Sequence, residues 1–246
     1  MTSRAGAAVR GRLRAGLRNA GAWLLDYGYA VIAQARSALA RTRPDDLLAG
    51  DRAPVLIIPG IYESWHFLRP LIDMLHEHGH PVHVVPLGAN RRPVAPSAEI
   101  VAEYLREHDL HDVVIVAHSK GGLIGKFLMT RLDPGARIMR LIAISTPFSG
   151  SRYARYLPLS SLRAFAGTNP HLAALGADQH LNGRVVSIYG RFDPHIPEGS
   201  LLPGAENVLI NTGGHFRILS HPDTLRHVRA AAARPAAPHE RSSRES

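Results

Sequence analysis

The chain has no cysteine, which excludes disulfide staples, thiolate catalysis and cysteine-ligated zinc together. It also lacks any run of about 18 uncharged apolar residues, the length a membrane-spanning helix needs. Its central body lacks a charge excess: residues 44–228 carry 17 basic and 17 acidic side chains. The formal charge of +9 therefore sits on the ends, where residues 1–43 hold eight arginines against Asp26 and residues 229–246 hold four against two glutamates. An enzyme of nucleic acids carries basic surface around its site, so nucleic acid is not an expected partner. The absence of thiols leaves the compartment open. A secretory signal is suggested by the basic start and the small-residue sites Ala33-Gln34-Ala35 and Ala38-Leu39-Ala40. It is opposed by Asp26, Tyr27 and Tyr29, which interrupt the apolar stretch Ala20–Ile32. The expectation is a cytoplasmic protein or one peripheral to a membrane, with secretion left open.

What is present is a body of alternating elements. Continuous apolar, β-branched runs occur at Val55–Ile58, Val82–Val85, Val113–Ala117, Ile138–Ile144, Val185–Tyr189 and Val208–Ile210. Such runs mark strands covered on both faces. Helical patterns fall around Phe67–His78, Ala98–His108, Gly121–Leu132 and Asp223–Ala233. Alternation of this kind predicts an α/β fold with a mostly parallel sheet and helices on both faces. The expected organisation is a basic arm over residues 1–43, a linker over 44–52, one domain over 53–233 and a disordered tail over 234–246. The span 147–183 breaks the alternation and is read either as a small cap over the sheet edge or as one helix with a long approach.

The stretch Val113-Val114-Ile115-Val116-Ala117-His118-Ser119-Lys120-Gly121-Gly122 runs a buried strand straight into a helix, with a serine at the turn and small residues around it. A nucleophile elbow requires this, because its strained turn brings strand and helix too close for bulky neighbours. A phosphate-cradling loop would need Gly at 120 and Ser or Thr at 127, where the chain has Lys120 and Phe127. A helix-capping serine is the plainer alternative. A serine nucleophile needs a histidine base and a carboxylate to orient it. Strand 185–189 leads into Asp193 and strand 208–210 into His215, so both candidates lie on loops at strand ends. Glu198 and Asp178 compete for the acid. His195 stands too near Asp193 in sequence to be its partner, though it can line the site, and His221 reads as the start of the last helix. His76, His78 and His80 invite a metal reading, but they flank a probable helix end and lack a carboxylate placed for ligation, so no metal is expected. The oxyanion donors are expected to be the backbone N–H groups of Ile61 and Lys120.

These segments resemble the compact α/β-hydrolase lipases over about Ala53 to Arg229. The resemblance rests on Ile58-Pro59-Gly60-Ile61, the elbow with Ala117 and Gly121, Ser145-Thr146-Pro147 with Gly150-Ser151, Asp193, and Leu202–Val208 leading to Gly214-His215. It implies an α/β-hydrolase sheet, a Ser119–Asp193–His215 triad, no cofactor, and hydrolysis of lipid or medium-chain acyl esters. The same triad could serve acyl transfer or thioester cleavage, and a non-catalytic binding protein of this fold is the third possibility. Tyr62, Trp65, Leu157 and Phe165 are expected to contact the substrate. Lys120 departs from the apolar residue often found after the serine. Finally, Val9, Leu13, Leu17, Leu24 and Val31 would form a stripe on a helical arm bordered by arginines, which suits an anionic membrane surface. The alternatives are that the stripe packs on the body or that Gly11, Gly16 and Gly21 keep the arm unfolded.

Overall fold

The computed structural model describes residues 21, 23–35, 43–133, 136–156 and 165–235. Six strands form one sheet in the order β2-β1-β3-β4-β5-β6: β1 Val55–Ile58, β2 Val82–Val84, β3 Val113–His118, β4 Ile138–Ile144, β5 Val185–Phe192 and β6 Glu206–Gly213. Every pairing is parallel. The helices are α1 over residues 23–35, α2 Arg69–Glu77, α3 Val94–Glu107, α4 Lys120–Phe127, α5 Pro170–Ala177 and α6 Pro222–Ala232. A π-helical turn, Leu128–Leu132, extends α4.

Alternate residues of each apolar strand feed two separate cores. Val55, Ile57, Val114, Val116, Ile142 and Ile144 pack with Leu71, Ile72 and Leu75 of α2 and Val228 and Ala231 of α6. Leu56, Ile58, Val113, Ile115, Ala117 and Leu141 pack with Val101 and Leu105 of α3, Leu123 and Ile124 of α4, and Leu172 and Leu175 of α5. Burial on both faces explains why these strands read as unbroken apolar runs rather than as alternation. The order reverses at β1, which lies between β2 and β3. A crevice for ligands forms at the carboxyl ends of the strands at such a point.

Three expected boundaries change. The arm is not separate from the body: Asp26 of α1 is fully buried, and Tyr29, Ala30 and Ala33 pack against the α2–α6 core. These positions recur at helical spacing, so the inward face of α1 centres on its only acidic residue. Leu24 and Val31 of the expected stripe point to solvent, and Val9, Leu13 and Leu17 lie outside the described residues. The linker is tied down as well. Leu47 is buried in the core, and the N–H groups of Asp51 and Arg52 both donate to the Gly79 carbonyl. The expected tail shortens, because Arg234 pairs with Glu206 and its carbonyl accepts from Arg140; residues 236–246 lie outside the described set.

Candidate active site

The site is built at the C-terminal ends of β3, β5 and β6. Ser119 occupies the turn between β3 and α4 at φ 51°, ψ −120°, a left-handed conformation that a non-glycine residue adopts only when its surroundings hold it there. Its N–H donates to the Ile144 carbonyl of β4 at 2.9 Å. A Cβ on Gly121 would lie 2.2 Å from the Ile58 carbonyl oxygen, and one on Gly122 would lie 2.0 Å from Thr146 Oγ1. The small residues after the serine are therefore required by close approach of α4 to β1 and to the loop after β4.

Ser119, His215 and Asp193 are brought together at the strand ends. Ser119 Oγ lies 3.0 Å from His215 Nε2, placed to donate to it, and His215 Nδ1–H donates to Asp193 Oδ2 at 2.7 Å. The other Asp193 oxygen accepts the N–H groups of His195 and Ile196 at 2.8 and 3.1 Å. This orients the carboxylate and fixes the tautomer that leaves Nε2 free to take the serine proton. Burial opposes a charged Asp193, but His215 and these donors overcome it and hold the carboxyl below the ordinary range. Burial also disfavours an imidazolium at His215, yet the charge and hydrogen bond of Asp193, with Glu63 and Asp26 behind, raise its pKa above the usual 6.5. The competing acids are elsewhere: Glu198 pairs with Arg152, and Asp178 with Arg131 and His180. No cluster of metal-ligating residues occurs among the described residues. Within the expected metal trio, His78 Nδ1 bonds the Met74 carbonyl and His80 Nδ1 bonds that of Ala53. His221 accepts from Asp223 N–H and caps α6.

The loop after β1, which carries Ile61, is braced from two sides. Glu63, buried, accepts the Gly60 N–H at 2.7 Å and the Nδ1–H of His118 at 2.8 and 2.9 Å. His118 Nε2 lies 3.0 Å from the His215 carbonyl oxygen. Glu63 and His118, both buried, thus join the loop after β1 to the backbone of His215. From the other side, Asn90 Nδ2–H donates to the Pro59 carbonyl and the Tyr62 N–H to the Ala89 carbonyl. The Lys120 ammonium donates to Asn90 O and Oδ1 at 2.7 and 2.9 Å and to the Arg92 carbonyl. Burial pushes its pKa down to about 8. Its polar end is thus turned into the 90–92 loop rather than toward the serine. Among the described residues, the N–H groups of Ile61 and Lys120 are engaged by no loop, turn or side-chain acceptor, leaving both free for an oxyanion.

The most unexpected brace comes from α1. Asp26 accepts three consecutive backbone N–H groups, those of His215 at 2.7 Å, Phe216 at 2.8 Å and Arg217 at 2.9 Å. Gly214, at φ +120°, has no room for a Cβ because Asp26 Oδ1 would lie 2.5 Å from it. Nothing in the local sequence around His215 signals this carboxylate.

A cavity of about 810 Å³ opens over Ser119 and His215, lined by Ile61, Tyr62, Phe67, Tyr153, Phe165 and residues of α1 among others. Tyr62 and Phe165 thus lie where substrate contacts were expected. Trp65 does not; it stacks on His66 at 3.6 Å and packs against the core, and Phe67 takes the lining position. The 3-10 turn Trp65–Leu68 sets which of these side chains points to the site. Leu157 lies outside the described residues, while Pro147, Ser151 and Ala154 of the expected cap line the cavity. Trp23 of α1 stacks with His195 and Tyr27 lies tilted against it, and the His195 ring lies 4.7 Å from that of His215. Burial pushes the His195 pKa down to about 4, so it is neutral at pH 7.

No family model matches the chain, and no curated protein matches it by sequence. Solved structures do. A lipase of Bacillus licheniformis in its mature form superposes with a TM-score of 0.62 at 17% identity, over 75% of this chain and 96% of that one. Aspergillus fumigatus lipase B gives 0.60 at 16%, over 77% of this chain and 55% of that one. A deformylase from Pseudomonas putida S16 gives 0.56 at 15%, over 74% and 93%. With its six-stranded parallel sheet, two helical layers and strand-to-helix elbow, this chain has the α/β-hydrolase fold.

Proposed function

We propose that the protein is a serine hydrolase of carboxylic esters, acting through an acyl-enzyme. The observation that carries the reading is the linear array Ser119 Oγ, His215 Nε2, His215 Nδ1, Asp193 Oδ2 at hydrogen-bond distances beside two uncommitted backbone donors. In the first half-reaction Ser119 Oγ attacks the ester carbonyl as its proton passes to His215 Nε2. The carbonyl oxygen becomes an oxyanion held by the Ile61 and Lys120 N–H groups. Collapse breaks the C–O bond, and His215 returns the proton to the departing alcohol. Water then repeats the sequence on the acyl-serine and releases the acid. A lipid or medium-chain acyl ester suits the cavity, which is lined by Phe67, Phe165, Phe216, Ile196 and Ala30. The fold also carries amide-type and transfer chemistry, so thioester cleavage and acyl transfer remain the second reading, separated from the first by whether an added alcohol or thiol captures the acyl group. Turnover of a panel of nitrophenyl esters of increasing chain length, with Ser119→Ala as control, tests the assignment. A folded Ser119→Ala protein that keeps full activity would overturn it.

We further propose that the outward face of α1 rests on an anionic membrane surface. Leu24 is 77% and Val31 68% exposed, Leu25 and Ile32 are exposed as well, and Val31 also lines the catalytic cavity. Arg4, Arg10, Arg12, Arg14 and Arg18 precede this helix in the chain. Each basic residue near an anionic surface contributes about 1 kcal/mol. No helix among the described residues is long and apolar enough to cross a membrane. The test is vesicle sedimentation of the full chain against a Leu24→Asp/Ile32→Asp variant, since both side chains are exposed and neither lines the catalytic cavity. Equal binding by both proteins, or binding to neutral vesicles alone, would discard the idea.

A further inference from the structure

A second cavity, of about 660 Å³, lies beside the catalytic one and, among the described residues, shares with it only Phe165. Its floor and walls are Val94 and Ala95 of α3, Leu123 and Phe127 of α4, and Leu172 and Leu175 of α5. This volume falls within the range of small-molecule sites, and the lining is mostly apolar, with Asn169 and His171 as its neutral polar residues.

The charged residues that line the cavity carry one sign. Arg91, Arg92, Arg131 and Lys120 border it, and among the described residues no Asp or Glu does. Arg131 is paired with Asp178 at 3.1 Å, and the Lys120 donors are consumed by Asn90 and Arg92 oxygens, which are neutral. Arg91 lies over the Tyr62 ring at 5.5 Å, a contact that leaves its N–H fork open. Arg92 has no acceptor for its guanidinium among the described residues. The backbone that carries both arginines is fixed by the Lys120 and Asn90 bonds described above, so the two guanidinium groups are presented from a braced loop at the edge of a greasy hole.

An apolar cavity with open arginine forks at its mouth matches one kind of molecule. A single hydrocarbon chain fills the interior, and a carboxylate or phosphate group at its end meets guanidinium donors bidentately. A neutral alcohol leaves the arginines without an anion, and a quaternary ammonium is repelled by them. We propose that this cavity is a binding site for a single-chain anionic amphiphile, of the fatty carboxylate or alkyl phosphate class, distinct from the pocket over Ser119. The proposal stands on the cavity and its rim and does not depend on the ester-hydrolase reading.

The test uses the full chain carrying Ser119→Ala, so that no turnover confuses binding. Calorimetry with dodecanoate, dodecyl phosphate, dodecanol and dodecyltrimethylammonium separates the headgroups, and decanoate against dodecanoate reads the chain. Dodecanoate or dodecyl phosphate should bind at least tenfold tighter than dodecanol, and the ammonium should not bind. Whichever of the two anions is tighter identifies the headgroup. Each methylene buried should tighten binding about threefold to fourfold. Arg91→Ala/Arg92→Ala should weaken the anion about tenfold and leave dodecanol unchanged. Ala174→Trp, at the exposed lip of the cavity, should abolish binding, whereas Val31→Trp, at an exposed position lining the catalytic cavity, should not. Equal affinity for acid and alcohol would overturn the proposal, as would indifference to the arginines, or loss of binding with Val31→Trp but not with Ala174→Trp. Melting temperatures of the variants close to that of the parent show that any loss is local.

Discussion

The Asp26 carboxylate, from a helix that precedes the first strand, caps the loop of His215 by accepting its N–H and the two that follow. Hydrogen bonds to a charged acceptor contribute about 1.5–3 kcal/mol each, and a displaced imidazole loses its alignment with both Ser119 and Asp193. Asp26→Ala should therefore lower kcat for a soluble short-chain ester at least tenfold, with a smaller change in KM. Asp26→Asn should recover part of the loss, since its amide oxygen replaces one carboxylate oxygen while its NH₂ faces an N–H. A chain beginning at Pro44 should lose activity at least as severely as Asp26→Ala. The comparison of kcat and KM across these proteins checks the expectation, which fails if the Pro44 chain is folded and fully active.

Within the triad itself the effects should not add. Ser119→Ala, His215→Ala and Asp193→Asn should each reduce kcat/KM by several orders of magnitude. The Asp193→Asn/His215→Ala double variant should be scarcely worse than His215→Ala, because the three groups act as a unit. Single-turnover rates with thermal denaturation alongside provide the measurement. Glu198→Gln, whose carboxylate pairs with Arg152, should leave the rate nearly unchanged.

The pH dependence should show the field around His215. A free histidine loses its proton near pH 6.5, and here Asp193, Glu63 and Asp26 raise that value against the opposing effect of burial. The base works only when neutral, so kcat/KM should rise with pH through a step above 6.5. Removing a negative neighbour makes the imidazolium easier to deprotonate, so Asp26→Asn should move the step to lower pH. A step that stays fixed in the variant would show that Asp26 acts through geometry alone.

Lys126 offers a test of stability rather than activity. Its side chain is buried, its ammonium has no hydrogen-bond partner among the described residues, and the nearest aromatic face is Phe148 at 5.8 Å. Burial pushes its pKa down to about 8 from 10.5 against the pull of Asp178. Below pH 8 the group is charged in both folded and unfolded chains, and the cost of burying it is felt in full. Stability should therefore rise between pH 8 and 10.5, as the folded protein sheds the proton first. Lys126→Met should stabilise the protein at pH 7 by roughly 3 kcal/mol, at about 1.4 kcal/mol per pKa unit, and by much less at pH 10. Lys120, also near 8, contributes the same rise to both proteins, so urea unfolding of the pair at the two pH values reads Lys126 alone.

The local chemistry of the chain was enough to place the strands, the elbow and the triad. Unbroken apolar runs require a sheet covered on both faces, and a serine between a buried strand and Gly121-Gly122 admits few alternatives to a strained turn. Asp193 and His215 follow because each closes a strand on the edge where that turn lies. These are properties of neighbours in sequence, and periodicity and turn chemistry report them directly. The partnerships of Asp26 with His215 and of Glu63 with His118 span 189 and 55 residues. An isolated aspartate in an apolar helix looks like an interruption, and only the fold supplies the three N–H groups that make it the centre of the packed face. Likewise, a lysine after the nucleophile reads as a polar intrusion until the 90–92 loop is seen to receive it. The sequence by itself determined which residues stand together at the strand ends, because strand runs and turn chemistry are properties of neighbours in the chain. Tertiary structure alone decided what holds them there, because a buried charge needs partners that the chain brings together only when it folds.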